Sequence, residues 1–452
     1  MRGERVTTSI RSTGSPVPIP GPTGGALLGM AQPLRRDILG TLLENFHTYG
    51  DLVSYHFGPR WGPGWMHGDG VAVHHPDAVR HVLTNGREFT RRSVWFTVLR
   101  EMLGDGLLTS DGDVWLRQRR TLQPLFTPRR VAGYEQLMST EAARIVAEPG
   151  VSADGVTDLH HLMQRYTLRV VGRALFGDEV DDVLVQLQRL VPQLGEISFT
   201  RAMQLGRLPL GLPSPRNRRF TRVRDEQYAI VDRIIARRTA GRAAGSTGDG
   251  EDMLSLLHAA RDPETGRPLS AAEIRDQVLV FLLAGHETTA GALTFTLHQL
   301  GLHPEIQDRV AGDETPARAA LMEGMRLYPP AYGTERYAAD DTEVAGRPIP
   351  AGTTLMVSPY VTHRHPGFWP EPERFDPDRF VGEHDRPRYA YLPFGGGPRS
   401  CIGEHFAMLE ATVLLRALLG RYRVESLDRR VPLQVYITLR PAGAVRARLY
   451  DR

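Results

Sequence analysis

A single cysteine, Cys401, stands in 452 residues, so no disulfide can form within the chain. Lysine is missing altogether: all 55 basic positions are arginine. Avoidance of lysine codons in a GC-rich genome is the simplest cause. The arginines are scattered, with a formal net charge of only +3, so no basic tract points to nucleic acid. No run of about 20 consecutive apolar residues occurs, and no membrane span is expected. The polar opening, MRGERVTTSIRSTGS, contains no apolar stretch of the kind a secretory signal needs. With the lone cysteine, these absences lead to the expectation of a cytoplasmic protein.

What is present is ample material for a core, with 41% hydrophobic residues. The segment PVPIPGPTGG is too rich in proline and glycine for a helix, so residues 1–25 are expected as an extended lead-in. Residues 51–75 alternate in short apolar runs and predict a small β-region. From about 112 to 300 the spacing is mostly helical, with loops expected at 209–217 and 241–251. Short strands are expected again over 334–360, then a helix over about 402–420. The last thirty residues alternate, with TLRPAGAV read as a hairpin. Neither a repeat nor a linker divides the chain. The expectation is one domain over 1–452, mainly α with a minor β-part (α+β).

A lone cysteine is ordinarily a small buried hydrophobe. The stretch around this one, FGGGPRSCIG from Phe394 to Gly403, is of another kind. Its glycines admit positive φ and let a backbone approach a flat ligand closely. Apolar residues at helical spacing follow: Ile402, Phe406, Leu409, Val413, Leu414 and Ala417. Cys401 is therefore expected at a helix N-terminus, where the helix dipole favours thiolate. Arg399 lies two residues away, and a metal-ligating thiolate becomes a reasonable reading.

A second unusual segment is LSAAEIRDQVLVFLLAGHETTAGALTFTLHQLGLHP. Ser270 and Glu273 have the spacing of a capping box, and Gly301 with Pro304 supplies a stop. Val278 to Ala284 is almost wholly apolar, so the helix is expected to be buried. A polar cluster follows, His286-Glu287-Thr288-Thr289, and polar groups in a buried helix need partners. Threonine can bond back to the preceding turn and bend the helix. His286 is expected to face away from any site. The pairs His74–His75 and His160–His161, and His363 with His365, lack a zinc-ligand set and are read as structural.

The cysteine loop resembles the haem-binding loop of cytochromes P450, Phe-x-x-Gly-x-Arg-x-Cys-x-Gly, at every fixed position. AGHETT is similar to that family's oxygen-activation motif. Glu323-Gly-Met-Arg326, the segment PERF (Pro372 to Phe375) and Trp115-x-x-x-Arg119 match further family patterns in the family's order. The resemblance covers nearly the whole chain. It implies a haem (heme b) with Cys401 as iron ligand, within the motif that Gly403 completes, and with Phe394 packed near the sulfur. It also implies that Trp115, Arg119, Arg336 and Arg399 reach the haem propionates, and anionic propionates need such charge-assisted bonds. Glu287 and Thr288 would supply protons during O2 activation. Glu323, Arg326 and Arg374 would form a buried structural triad.

The pocket regions implied by position are 91–108, 195–215, 331–334 and 435–438. They include Phe96, Leu99, Leu107, Ala331 and Ile437, with Ala284 on the helix. That lining predicts a mostly apolar small-molecule substrate, with natural-product biosynthesis as the expected setting. The chain ends soon after TLRP with no fused reductase, so a ferredoxin and its reductase are the expected electron donors. A peroxide-driven enzyme or a non-catalytic haem sensor on the same fold are the alternatives. Neither has use for Glu287 and Thr288 together.

Overall fold

The computed structural model describes residues 18–59, 68–148, 150, 155–177, 181–203, 208–243, 252–311, 313–383 and 385–452. Most of the expected lead-in (1–17) and most of the expected 241–251 loop (244–251) lie outside the described residues.

The longest apolar segment forms a 32-residue central helix, Ala271–Leu302. It begins where the sequence places its cap. Ser270 Oγ accepts from Glu273 N at 3.2 Å, and the Glu273 carboxylate accepts from Ser270 N at 2.8 Å. Its composition suffices to cross a membrane, but 78% of its most apolar window is buried in protein. Helices Leu159–Phe176, Glu314–Leu327 and Glu404–Arg421 pack around it. Their apolar faces merge into one core that includes Leu162, Met163, Leu293, Leu297, Leu321, Leu414 and Leu418. A second core joins the other half of the central helix to Val94–Leu103, Asp181–Ala202 and Pro215–Ala243.

The β-part is small and peripheral. Five strands order as Leu52–Phe57, Gly68–Val73, Thr354–Val357, Thr334–Ala338 and Phe89–Thr90. One pairing is parallel, with Val73 opposite Val357; the others are antiparallel. This sheet carries Arg336 opposite Leu355 and so fixes where its guanidinium lies.

The C-terminal region departs from expectation. The tight turn falls at Tyr436–Thr438, between strands Leu433–Val435 and Leu439–Pro441, at the leading edge of TLRPAGAV and not at its proline and glycine. Residues 446–451 pair instead with Tyr422–Ser426 and Thr157–Asp158, which draws the chain away after Pro441. A proline that cannot donate suits that exit.

Candidate active site

The cysteine loop is shaped by glycines whose side-chain positions are taken. Gly397 has φ +69°, and a Cβ there would lie 2.4 Å from the Leu83 carbonyl oxygen. A Cβ on Gly396 would meet the Tyr389 ring at 2.5 Å. Cys401 N donates to Phe394 O at 2.9 Å, closing the loop. The helix that follows starts only at Glu404, with Gly403 as its N-cap. Cys401 thus precedes the first turn by three residues. Burial pushes its thiol up, against the opposing pull of the Gly403 N–H and the Arg119 charge.

Cys401 keeps open surface although its thiol is desolvated. Ala284 is likewise exposed in mid-helix, between Leu283 and the buried His286. Both therefore stay accessible amid buried neighbours, as residues facing a ligand would. Trp115, Leu108, Ile402 and Ile437 pack, half-buried, against the core that contains Val280 and Leu283. Ala331 is also exposed. Phe96, Leu99 and Leu107, by contrast, are already covered by protein, and the Arg91 guanidinium lies 4.6 Å over the Phe96 ring.

Arginines gather beside the loop. Arg399 donates to Ser110 O at 2.9 Å and to Asp111 Oδ1 at 2.5 Å, and stacks 4.2 Å over Trp115. Arg119 donates to Ser400 O at 3.0 Å. Arg336 is buried and donates to Glu335 O at 2.8 Å and Thr334 Oγ1 at 3.2 Å. A residue the sequence reading missed completes the group. Arg91 is buried, donates to Leu108 O, and leaves Nε without a partner among the described residues. Burial, then repulsion from Arg336 and Arg399, lowers Arg91 well below the usual guanidinium range; burial, with repulsion from Arg399 and from Arg100 respectively, brings Arg336 and Arg399 to about 10. Arg91, Arg336 and Arg399 share one carboxylate, Asp111. Such a shell calls for about two further negative charges, which the two propionates of a haem would bring. A thiol and a glycine cradle beside it suit the same group. No His/Cys/Asp/Glu cluster fit for a bare metal ion occurs among the described residues.

On the central helix, Glu287 is buried and its Oε2 accepts from Thr438 Oγ1 at 3.0 Å. Burial raises its carboxyl above the usual range, against Arg440 and Thr438. The half-buried Thr288 bonds back to Ala284 O at 2.6 Å. His286 turns the other way, onto Thr167 Oγ1 at 2.9 Å.

The expected triad needs one correction. Glu323 and Arg326 form a fully buried pair at 2.7 Å and 2.8 Å. Arg374 is not its third member: it is exposed and pairs with Glu371 at 3.1 Å. A turn with Glu371 at φ +46° sends Arg374 outward. The chain then returns through a short 3-10 helix, Pro377–Phe380, which brings Arg379 Nε to 3.5 Å from Glu323. PERF and PDRF are near-copies in the sequence, and nothing local distinguishes the arginine that turns inward.

A model of the family described as "Cytochrome P450" matches residues 18–313 and 317–445. The chain belongs to the cytochrome P450 family. The P450 is 37% identical over 422 residues to "Cyclooctatin synthase" of Streptomyces melanosporofaciens, covering 89% of this chain and 87% of the relative. It is 34% identical to "Cyclooctat-9-en-7-ol 5-monooxygenase" of the same species, covering 93% and 94%. To "Pentalenene oxygenase" of Streptomyces avermitilis it is 32% identical, covering 87% and 88%. A crystal structure of a P450 from Thermus thermophilus superposes with a TM-score of 0.76 at 30% identity, covering 93% of this chain and 97% of that one. This P450 is therefore an oxidoreductase with a haem-thiolate cofactor, and its helix-rich architecture with small sheets is the P450 fold.

Proposed function

We propose that this P450 oxygenates a cyclic terpenoid in natural-product biosynthesis, with electrons from a ferredoxin and its reductase. The reading rests on the Streptomyces relatives, whose names specify an alkene and an alkenol as compounds oxidised. The apolar Ala284, Ala331 and Ile437 suit such a skeleton.

When bound, the haem supplies activation of O2 at an iron whose thiolate ligand favours O–O cleavage. Cys401, in the loop closed by its N–H to Phe394 O, would hold the iron as a thiolate. Phe394 and Gly403 frame the sulfur. Arg91, Arg119, Arg336 and Arg399, with Trp115, would hold the propionates. Glu287 keeps a proton to a higher pH than an ordinary carboxyl, and Thr288 beside it passes protons toward the oxygen being reduced. Glu323, Arg326 and Arg379 brace the fold.

The test is haem-loaded protein with ferredoxin, ferredoxin reductase and NADPH, offered cyclic terpene hydrocarbons and alcohols, polyketides and indoles. A terpenoid product carrying one atom from 18O2 is the expected result. Oxidation of polyketides or indoles alone overturns the substrate class. Turnover only with hydrogen peroxide, and none with ferredoxin, its reductase and NADPH, overturns the electron source.

A further inference from the structure

The C-terminal hairpin reaches the acid of the central helix. Thr438 sits in its turn, buried, and its hydroxyl donates to Glu287 Oε2 at 3.0 Å. The turn is rigidly placed. Tyr436 N donates to Thr438 O at 3.1 Å, and Leu439 N to Pro330 O at 2.9 Å. Tyr332 Oη donates to Tyr436 O at 3.2 Å. Arg440 stacks 4.5 Å over Tyr436 and donates to Gln434 Oε1 at 3.1 Å, which keeps its charge on the hairpin. The next residue back from Thr438, Ile437, packs half-buried against the core that contains Val280 and Leu283. An aromatic series, Trp95–Phe199–Tyr436, ties the same turn to helices Val94–Leu103 and Asp181–Ala202.

We propose that Thr438 is a positioning residue: its hydroxyl fixes the Glu287 carboxyl for proton delivery, so the hairpin that walls the pocket also orients the acid. The inference rests on reading Glu287 as a proton source. The geometry supports it independently, because a free carboxyl on a helix has several rotamers and this bond selects one. Arg440 on the hairpin acts on Glu287 directly; Glu410 of Glu404–Arg421 lies against Thr289, two residues along the central helix, and burial raises it well above the usual carboxyl range; His160 on Leu159–Phe176 faces Arg440 and His286. Burial brings His160 to about 4 and His286 to about 3, so both histidines stay neutral near pH 7. The Thr438 hydroxyl favours the Glu287 carboxylate, so Glu287 is the group whose titration should shift when that hydroxyl is lost.

Three variants decide the matter: Thr438→Val, which keeps shape and removes the hydroxyl, Thr438→Ser, which restores it, and Glu287→Gln. The first readout is the infrared band of the protonated Glu287 carboxyl in resting, haem-loaded protein, assigned by its loss in Glu287→Gln. In Thr438→Val the pH midpoint of that band should rise by about half a unit to one unit, the worth of one net hydrogen bond. Thr438→Ser should return it. The second readout is product formed per NADPH consumed, which should fall roughly threefold or more in Thr438→Val and recover in Thr438→Ser. If Glu287→Gln uncouples the enzyme while Thr438→Val matches wild type in both readouts, Thr438 positions nothing, and Glu287 keeps its role. If Glu287→Gln remains tightly coupled, the proton-source reading itself fails. Should Thr438→Val lose its reduced carbon monoxide spectrum, Thr438→Ala replaces it under the same criteria. Loss of the spectrum in Thr438→Ala as well would mark the residue as structural and overturn the proposal.

Discussion

Arg399 and Asp111 meet at 2.5 Å beside the cysteine loop, with the Arg399 guanidinium lying on Trp115. That contact answers one positive charge of a group in which Arg91 and Arg336 are also buried. The surplus is tolerable only with anionic company, since unpaired buried charge is costly.

Arg91→Leu should therefore have opposite effects on the two forms of the protein. Without haem, it relieves crowding among like charges. With haem, it removes a partner of the propionates. The gap between haem-loaded and haem-free thermal midpoints should narrow, by an equivalent of ~1–3 kcal/mol. Paired melts check this, together with the rate of haem transfer to an acceptor globin. An unchanged gap would remove Arg91 from the cofactor shell.

The brace behind the site offers a graded series. Arg326→Leu leaves Glu323 buried without its main partner and should cost about 3–5 kcal/mol. Arg379→Ala should cost about 1–2 kcal/mol, because Glu323 retains Arg326 and the Asp376 N–H. Arg374→Ala, on an exposed pair, should stay within about 0.5 kcal/mol of wild type. Urea unfolding orders the three, and a larger loss for Arg374 than for Arg379 would reverse the assignment.

Acid should weaken the fold through buried neutral histidines. His74, His286 and His363 are each held at about 3 by burial. His363 shows why: Nδ1–H donates to Arg326 O at 3.2 Å while Nε2 accepts from Leu392 N at 2.9 Å, and only the neutral ring can do both. Unfolded, a histidine titrates near 6.5. Between about 6.5 and 3 the unfolded chain binds protons that the folded one refuses, so stability falls as pH falls. Each such group contributes up to ~1.4 kcal/mol per pH unit. His74 has neither ring nitrogen bonded among the described residues. His74→Leu should thus raise stability at pH 7 and flatten the acid slope by one proton, measured by urea unfolding from pH 7 to 4.5.

Thr288→Ala should keep haem and the reduced carbon monoxide spectrum while diverting reducing equivalents to hydrogen peroxide. Assaying peroxide against NADPH oxidation checks this. Tight coupling in the variant would count against a relay through Thr288.

Elements with a strong local code were legible from the sequence. The capping box at Ser270 and Glu273 placed the start of the central helix within two residues. Gly397 announced a loop in which a backbone comes close to something else, though not that the something is Leu83. What stayed hidden depends on contacts across long separations. Arg91 joins its group through Leu108, Arg336 and Arg399, and its own surroundings in the sequence look like those of any surface arginine. Arg379 and Arg374 differ only in which way a turn directs them. Thr438 meets Glu287 across 151 positions. The turn that carries it was expected a few residues later, because proline and glycine in TLRPAGAV mark an exit from the sheet as readily as a reversal.

The near-contact between position 397 and Leu83 also bears on how this catalyst can be altered. The peptide that carries the sulfur is wedged against helix Pro76–Thr84, on a different part of the chain from Val94–Leu103, Asp181–Ala202 and the C-terminal turn. If the C-terminal turn walls the pocket as proposed, residues there can be exchanged, by design or by drift, while the ligating atom stays where it is.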